Sequence, residues 1–151
     1  MTKFPVVRDL LVDRSPIFRV LKRIKAWVPV DGYYDLGSGP RVLPREQEET
    51  YPLSRCMTCG CCVEACPQFN DKSGFIGPAA ISQAILFNAH PTGGQFRDER
   101  LEVLSGPGGV VDCGNSQNCV KVCPKDIPLT DSIAKAGRDT TLYKLRTWFG
   151  R

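Results

Sequence analysis

Two short runs hold all eight cysteines of the chain, and the two runs share one spacing. The first run follows the pattern C-x2-C-x2-C-x3-C-P, with Cys56, Cys59, Cys62, Cys66 and then Pro67. The second run repeats the pattern imperfectly, with Cys113, Ser116, Cys119, Cys123 and then Pro124. Because thiolates are soft ligands, and because this spacing is typical of iron–sulfur binding loops, the chain is predicted to fold around two iron–sulfur clusters.

The fourth cysteine of such a run usually serves the other cluster of a two-cluster protein. This exchange predicts a [4Fe–4S] cluster held by Cys56, Cys59, Cys62 and Cys123. The second cluster would be held by Cys66, Cys113 and Cys119. Because Ser116 replaces the fourth cysteine, we expect a [3Fe–4S] cluster there, although a serine oxygen could hold a fourth iron weakly. Cys61 is left over, and we expect a small buried side chain that points away from the cluster.

Other uses of the cysteines fit the pattern less well than iron–sulfur clusters do. A secreted disulfide scaffold fits poorly, since the residues after Met1 do not resemble a signal peptide. A zinc-stabilised interaction module is the stronger rival, but zinc sites use two pairs of cysteines rather than this longer run. A redox pair of Cys56 and Cys59 lacks the surrounding βαβ pattern that such pairs need.

Composition narrows the class of protein further. The 151 residues suit one domain, and 14 Gly and 12 Pro indicate many loops and helix ends. The net charge of +4 is too small to argue for nucleic acid, and we expect no nucleic-acid partner. Apolar runs long enough to span a bilayer are absent, and cysteines that must stay reduced favour the cytoplasmic side.

Helical signals dominate the chain, and no stretch alternates convincingly, so the sequence predicts an all-α fold built around two cluster-binding loops. We expect a basic arm and connector over residues 1–45 and an α-helical ferredoxin domain over 46–151. Helices are expected at Phe4–Val12, from Ser15–Pro16 to Pro29, at Arg45–Ser54, from Gly77–Pro78 to His90, at Phe96–Leu104, and from Leu129 or Thr130 onward. The residues Gly32–Pro44 are expected to form a connector.

Two side-chain expectations accompany these helices. In the last helix, the inward-facing residues are expected to be Ile133, Ala136 and also Leu142, Leu145 and Phe149. The single histidine, His90, is expected to bond the last carbonyls of its helix rather than to act as a ligand or a proton carrier.

With both runs in place, the chain resembles the C-terminal half of the iron–sulfur subunit of succinate dehydrogenase and fumarate reductase, in its menaquinone-linked bacterial form. The resemblance rests on stretches along the whole chain: Phe4–Leu10, Ser54–Gly60, Gly77–Ala79, Leu86–Gly93, Asp112–Cys119 and Arg138–Leu142. It implies the same two ligand sets. It also implies electron transfer between a flavoprotein subunit and quinone at a cytochrome b membrane anchor, with the subunit attached peripherally to the cytoplasmic face of the cell membrane.

The chain departs from that family in two respects. The C-x4-C-x2-C spacing of a plant-type [2Fe–2S] domain is absent from these residues, so a separate [2Fe–2S] domain is an expected partner. Several quinone-site residues of ubiquinone-linked members are replaced, by Asn70, Asp71 and Gly114, which argues against direct menaquinone contact. A related complex, of the heterodisulfide-reductase or glycerol-3-phosphate-dehydrogenase type, is an alternative that Ser116 disfavours.

Overall fold

A computed structural model describes residues 2–28, 40–70 and 72–150 of the chain. These residues are mostly helical, and the prediction of an all-α fold is confirmed apart from one small ribbon of two strands. The elements are β1 (Val6–Arg8), β2 (Leu11–Val12), α1 (Ser15–Arg23), α2 (Pro44–Ser54), α3 (Cys61–Glu64), α4 (Pro78–Ala89), α5 (Arg97–Ser105), α6 (Asn118–Lys121) and α7 (Leu129–Phe149). Short 3-10 turns cover Gly93–Phe96 and Val110–Asp112. Pro29 and most of the expected connector lie outside the described residues.

Helix α4 is the centre of the core, as its broad apolar face predicts. Its first residues are nearly all buried: Pro78, Ala79, Ala80, Ile81, Ser82, Ala84 and Ile85. Gly77 precedes it with a φ of 87°, which glycine adopts without strain, and proline then suits the first helical position. Helices α1, α2, α3, α5 and α7 all pack against α4. Small side chains at its start let the neighbouring elements approach closely.

The N-terminal segment is a hairpin and not the expected helix. β1 pairs antiparallel with β2, and Asp9 takes a φ of 49° between them. Asp tolerates this left-handed conformation, and β-branched Val6 and Val7 favour a strand. Helix α1 also ends earlier than predicted, at Arg23, because Lys25 turns the chain with a φ of 50°.

Other described residues of the basic arm pack on the helices. Phe4, Ile17 and Ile24 are buried in the same core as α4. The backbone N–H groups of Thr2 and Lys3 donate hydrogen bonds to the Glu64 carboxylate, and Lys3 Nζ donates to the carbonyl of Cys66. The arm thereby fixes the turn that carries Cys66. The division of the chain at residue 45 stays a prediction.

Arg100 is completely buried, although it lies in α5, a short helix rich in charged residues. Its guanidinium donates to the backbone carbonyls of Lys25 (3.0 and 3.1 Å), Trp27 (3.1 Å) and Gly93 (2.7 Å). It also donates to Asn88 Oδ1 (3.0 Å). One side chain thus joins the basic arm, the end of α4 and the 3-10 turn after it.

Helix α7 starts at Leu129, as predicted, and its middle packs on the core. Ala136 is buried and Ile133 packs against the core. The inward placement of Leu142, Leu145 and Phe149 is wrong, since they are 53%, 42% and 76% exposed. The reason is the side of α7 on which they lie. Ala136 and Thr140 mark the side that packs on the core, and with about 3.6 residues per turn the three exposed residues lie on the opposite side. Within the described residues, the search for a helix long and apolar enough to cross a membrane finds none.

Candidate functional site

The two cysteine runs meet at two pockets, and each run contributes to both. The first pocket, called pocket one, has about 430 Å³ of empty space and is lined by four cysteines: Cys56, Cys59, Cys62 and Cys123. The other lining residues are largely apolar and include Ile17, Ala79, Ile127 and Leu129. The structure therefore gathers the first predicted ligand set around one volume, with Cys123 coming from the far run.

The second pocket, called pocket two, has about 380 Å³ of empty space. Three cysteines line it: Cys66, Cys113 and Cys119. Ser116 lines the same pocket, where the pattern of the run would place a fourth sulfur. The second predicted set is thus also gathered, with Cys66 coming from the first run.

Local backbone geometry explains why both runs curl around their pockets. Thr58 and Gly60 have φ values of 52° and 87°, and Asn115 and Gln117 have φ values of 51° and 58°. These left-handed residues occupy equivalent places in the two runs, so each loop turns twice in the same way. Short helices follow at equivalent places too, α3 from Cys61 and α6 from Asn118. The imperfect sequence repeat is therefore a structural repeat.

The two loops are also held to each other and to the core. Asn118 Nδ2 donates a hydrogen bond of 3.3 Å to the carbonyl of Ala65, which joins α6 to the end of α3. At Gly60, an added Cβ would lie 3.2 Å from both Ile17 and Phe4, so the loop presses closely on the basic arm. These contacts set the direction from which each run reaches its pocket.

Burial and mutual proximity change the acidity of the thiols. Burial, followed by the neighbouring Cys56 and Cys59, raises the pKa of Cys62 to about 12. Burial is also the main cause that raises the pKa of Cys56 and of Cys119. For Cys119, the thiolates of Cys66 and Cys113 act in the same direction. Thiols crowded in this way ionise readily only when cations enter the pocket, which is what iron supplies.

The donor set therefore fits iron–sulfur clusters. Several thiols surround each pocket, and the walls of pocket one are largely apolar. Within the described residues, no three His, Cys, Asp or Glu side chains lie close enough together to hold one metal ion.

Two sequence expectations need correction here. Cys61 lies outside the lining of pocket one, which agrees with the expectation. Its side chain is only half-buried, however, whereas a buried side chain was expected. A hydrogen bond with the Cys59 sulfur is the main cause that raises the pKa of Cys61. Within the described residues, the His90 imidazole donates to no carbonyl; its Nδ1 instead accepts the backbone N–H groups of Thr92 (3.2 Å) and Gly93 (3.1 Å).

Sequence reasoning missed Gln68 as a residue of the site. Its side chain lines pocket two and lies directly over Gly114, where an added Cβ would stand 2.4 Å from Gln68 Nε2. The available signal was the glycine that follows Cys113, which leaves room for a neighbouring side chain.

Two thiol-lined pockets that exchange one cysteine each define a dicluster iron–sulfur protein. Comparison with known families agrees, and the chain belongs to the family described as the 4Fe-4S dicluster domain, whose model matches residues 52–127. This match supports iron–sulfur clusters over the zinc and disulfide alternatives.

Individual relatives indicate which kind of iron–sulfur protein the chain is similar to. The chain is 61% identical over 150 residues to the succinate dehydrogenase iron-sulfur subunit of Bacillus subtilis, which covers 99% of this chain and 59% of that protein. It is 29% identical over 133 residues to the fumarate reductase iron-sulfur subunit of Wolinella succinogenes, which covers 87% of this chain and 56% of that protein. A fumarate reductase iron-sulfur subunit of Escherichia coli is 33% identical over 128 residues, with 84% and 52% covered. The expected resemblance is confirmed, and the chain spans somewhat more than half the length of these relatives.

Proposed function

We propose that this chain is an electron-transfer subunit of a succinate:quinone oxidoreductase, that is, of a succinate dehydrogenase or fumarate reductase complex. The observation that carries the proposal is the gathering of seven cysteines, from two distant runs, around two adjacent pockets. The names of the relatives favour this complex over a heterodisulfide-reductase-like one.

The proposed ligands follow the two pockets. Cys56, Cys59, Cys62 and Cys123 would hold a [4Fe–4S] cluster in pocket one. Cys66, Cys113 and Cys119 would hold a [3Fe–4S] cluster in pocket two, since Ser116 offers only a weakly coordinating oxygen. Each cluster, when bound, supplies a centre that accepts and releases one electron.

The protein's own residues do the remaining work. Thiolates fix the position of each centre, and the apolar residues Ile17, Ala79 and Leu129 limit water at pocket one. No residue of this chain is assigned to bond-making chemistry on succinate or fumarate. That chemistry belongs, under this proposal, to a flavoprotein subunit.

The adjacency of the pockets supports a relay. Pro78 lines pocket two and Ala79, the next residue, lines pocket one. On α7, Leu129 lines pocket one and Ile133 lines pocket two, which is one helical turn, or about 6 Å along the axis. An electron would thus pass between the pockets across a thin wall of protein.

The proposed partners are a flavoprotein subunit, a cytochrome b membrane anchor and a separate [2Fe–2S] domain. The proposed location is peripheral, at the cytoplasmic face of the cell membrane, with menaquinone near the anchor and not in direct contact with this chain. The basic arm supplies a positively charged segment for docking, since residues 1–45 carry nine Lys and Arg against four Asp and Glu.

The test combines metal analysis with cysteine substitution in the full chain, purified without oxygen. We expect seven irons and eight acid-labile sulfides per chain, a three-iron EPR signal when oxidised, and a four-iron signal when reduced. Cys123→Ala should remove the four-iron signal, and Cys66→Ala should remove the three-iron signal, although each residue lies in the opposite run. If each substitution instead affects the centre of its own run, the assignment is wrong.

A second experiment addresses the complex. Affinity purification of the chain from native membranes should recover bound flavin and haem b, measured by their absorbance spectra. A matched purification with Cys61→Ser, which leaves both proposed ligand sets intact, controls for thiol reactivity. Recovery of neither flavin nor haem would contradict the proposed complex while leaving the cluster assignment in place.

A further inference from the structure

Gln68 places an uncharged hydrogen-bond donor at the wall of pocket two. It follows Pro67 directly after Cys66, and its side chain lines the pocket together with three cysteines and Ser116. The equivalent residue of the second run is Lys125, which follows Cys123 and Pro124, lines pocket one and carries a charge. The two pockets therefore differ in polarity as well as in their number of thiols.

The position of Gln68 depends on the glycine beneath it. A Cβ at residue 114 would lie 2.4 Å from Gln68 Nε2 and 3.2 Å from Gln68 Cδ, so any larger residue would push the amide away. Gly114 is adjacent to Cys113, one of the three thiols of the pocket. The amide therefore lies over the backbone at a proposed ligand.

Within residues 2–28, 40–70 and 72–150, the side-chain amide of Gln68 makes no hydrogen bond to the protein. Only its backbone carbonyl takes part in one, accepting from Asn70 Nδ2 at 3.4 Å. The residue is half-buried and borders a pocket that three cysteines line together with Asn115, Ser116, Gln117 and Thr130. The cysteine sulfur atoms are acceptors in this pocket.

We propose that the side-chain amide of Gln68 donates an N–H···S hydrogen bond to a sulfur atom in pocket two and thereby raises the reduction potential of the centre held there. This inference rests on the cluster proposed for that pocket. Adding one electron makes the centre more negative, and a donated hydrogen bond stabilises the more negative state. Gln68 is thus a tuning residue for one of the two centres, and Gly114 is the residue that gives it room.

The test measures midpoint potentials by redox titration of the full iron-loaded chain, followed by EPR. Gln68→Leu keeps similar bulk and removes the N–H donor. We expect the equilibrium constant for one-electron reduction of the pocket-two centre to fall about threefold to tenfold, which is about 28 to 59 mV at 59 mV per factor of ten. The pocket-one centre is an internal control and should keep its potential. Gln47→Leu, at an exposed glutamine of α2, should change neither centre.

Gly114→Ala supplies an independent route to the same effect. Its Cβ displaces the amide but leaves residue 68 unchanged, and moving the end of one flexible side chain costs little stability. The midpoint potential of the pocket-two centre should fall in Gly114→Ala as it does in Gln68→Leu. It should fall no further in the double variant, because both changes remove the same interaction. If Gln68→Leu fails to retain the pocket-two centre, Gly114→Ala alone carries the test.

The outcomes separate this inference from the proposed function. A wild-type chain without a three-iron signal contradicts the proposed cluster. A wild-type signal whose potential is unmoved in both variants contradicts only the role of Gln68. A shift of the midpoint potential in Gly114→Ala without a shift in Gln68→Leu also contradicts the role of Gln68, because the effect then does not depend on the amide.

Discussion

Replacing Arg100 by methionine should strongly destabilise the fold, because the buried acceptors of its guanidinium would remain without their donor. Arg100 donates to four acceptors: the carbonyls of Lys25, Trp27 and Gly93, and Asn88 Oδ1. Replacing a buried polar pair by apolar groups can be nearly neutral, but here only the donor can be replaced, since three acceptors belong to the backbone.

The magnitude follows from which acceptors water can reach. Trp27 is exposed and Lys25 half-buried, so their carbonyls can be rehydrated, whereas Gly93 is buried and Asn88 is half-buried. Asn88 Nδ2 already lacks a partner within the described residues. At about 1 to 3 kcal/mol for each unsatisfied buried group, the acceptors at Gly93 and Asn88 together give a loss of about 2 to 6 kcal/mol. That is a large share of the 5 to 15 kcal/mol, roughly, by which most domains are stable.

Urea unfolding of the iron-loaded chain, followed by far-UV circular dichroism without oxygen, measures this loss. With a slope of about 2 kcal/mol per molar, the midpoint should fall by about 1 to 3 M. Hydrogen exchange should increase first at residues 25–27, which lose their link to α5. Arg97→Met is the matched control on the same helix, since Arg97 is half-exposed and pairs with Asp139 at 3.2 Å. The Arg97→Met substitution should lower the free energy of unfolding by at most about 1 kcal/mol. Equal midpoints for the two variants would refute the reasoning.

Three further predictions test the pockets and the packing around them. Ser116→Cys supplies a fourth thiol to pocket two, so the three-iron EPR signal should give way to that of a four-iron centre; persistence of the three-iron signal would contradict the place given to Ser116. Gly109→Ala should cost about 2 to 4 kcal/mol in urea unfolding, because its Cβ would lie 2.0 Å from the carbonyl oxygen of Leu104. Gly74→Ala is its control, since the nearest atom lies at 3.9 Å, and similar losses in both would show that the contact at residue 109 is not decisive. Removing iron with a chelator should increase hydrogen exchange at residues 56–66 and 113–123 well before the amides of α4 are affected, and simultaneous loss of protection everywhere would show that the helical core depends on the metal as well.

The sequence predicts the parts of this fold whose causes are local. The spacing of the cysteines depends on loop geometry within a few residues, and the structure gathers both predicted sets around pockets. The helix after Gly77 has a proline start and a broad apolar face, so its burial can also be predicted from the sequence. The ligand roles themselves stay a proposal.

The features that the sequence does not predict depend on distant partners. Strands of three and two residues are too short to show alternation, so the hairpin of β1 and β2 carries no periodic signal. Arg100 looks like any surface arginine, because its acceptors lie at residues 25, 27, 88 and 93. Leu145 and Phe149 have helical spacing relative to each other, but they lie on the side of α7 opposite Ala136, and only the side of Ala136 packs on the core.

The crossing of the two runs has a consequence for biosynthesis. Because Cys123 lines pocket one, the earlier loop lacks a complete thiol set until the later one has been translated. More than fifty residues separate Cys66 from Cys119, its companion in pocket two, so the ribosome must release most of the chain before either inorganic centre can be inserted. A newly made polypeptide would therefore have to keep its early thiols reduced and unoccupied for that interval, and insertion of both centres would complete folding in one coupled event.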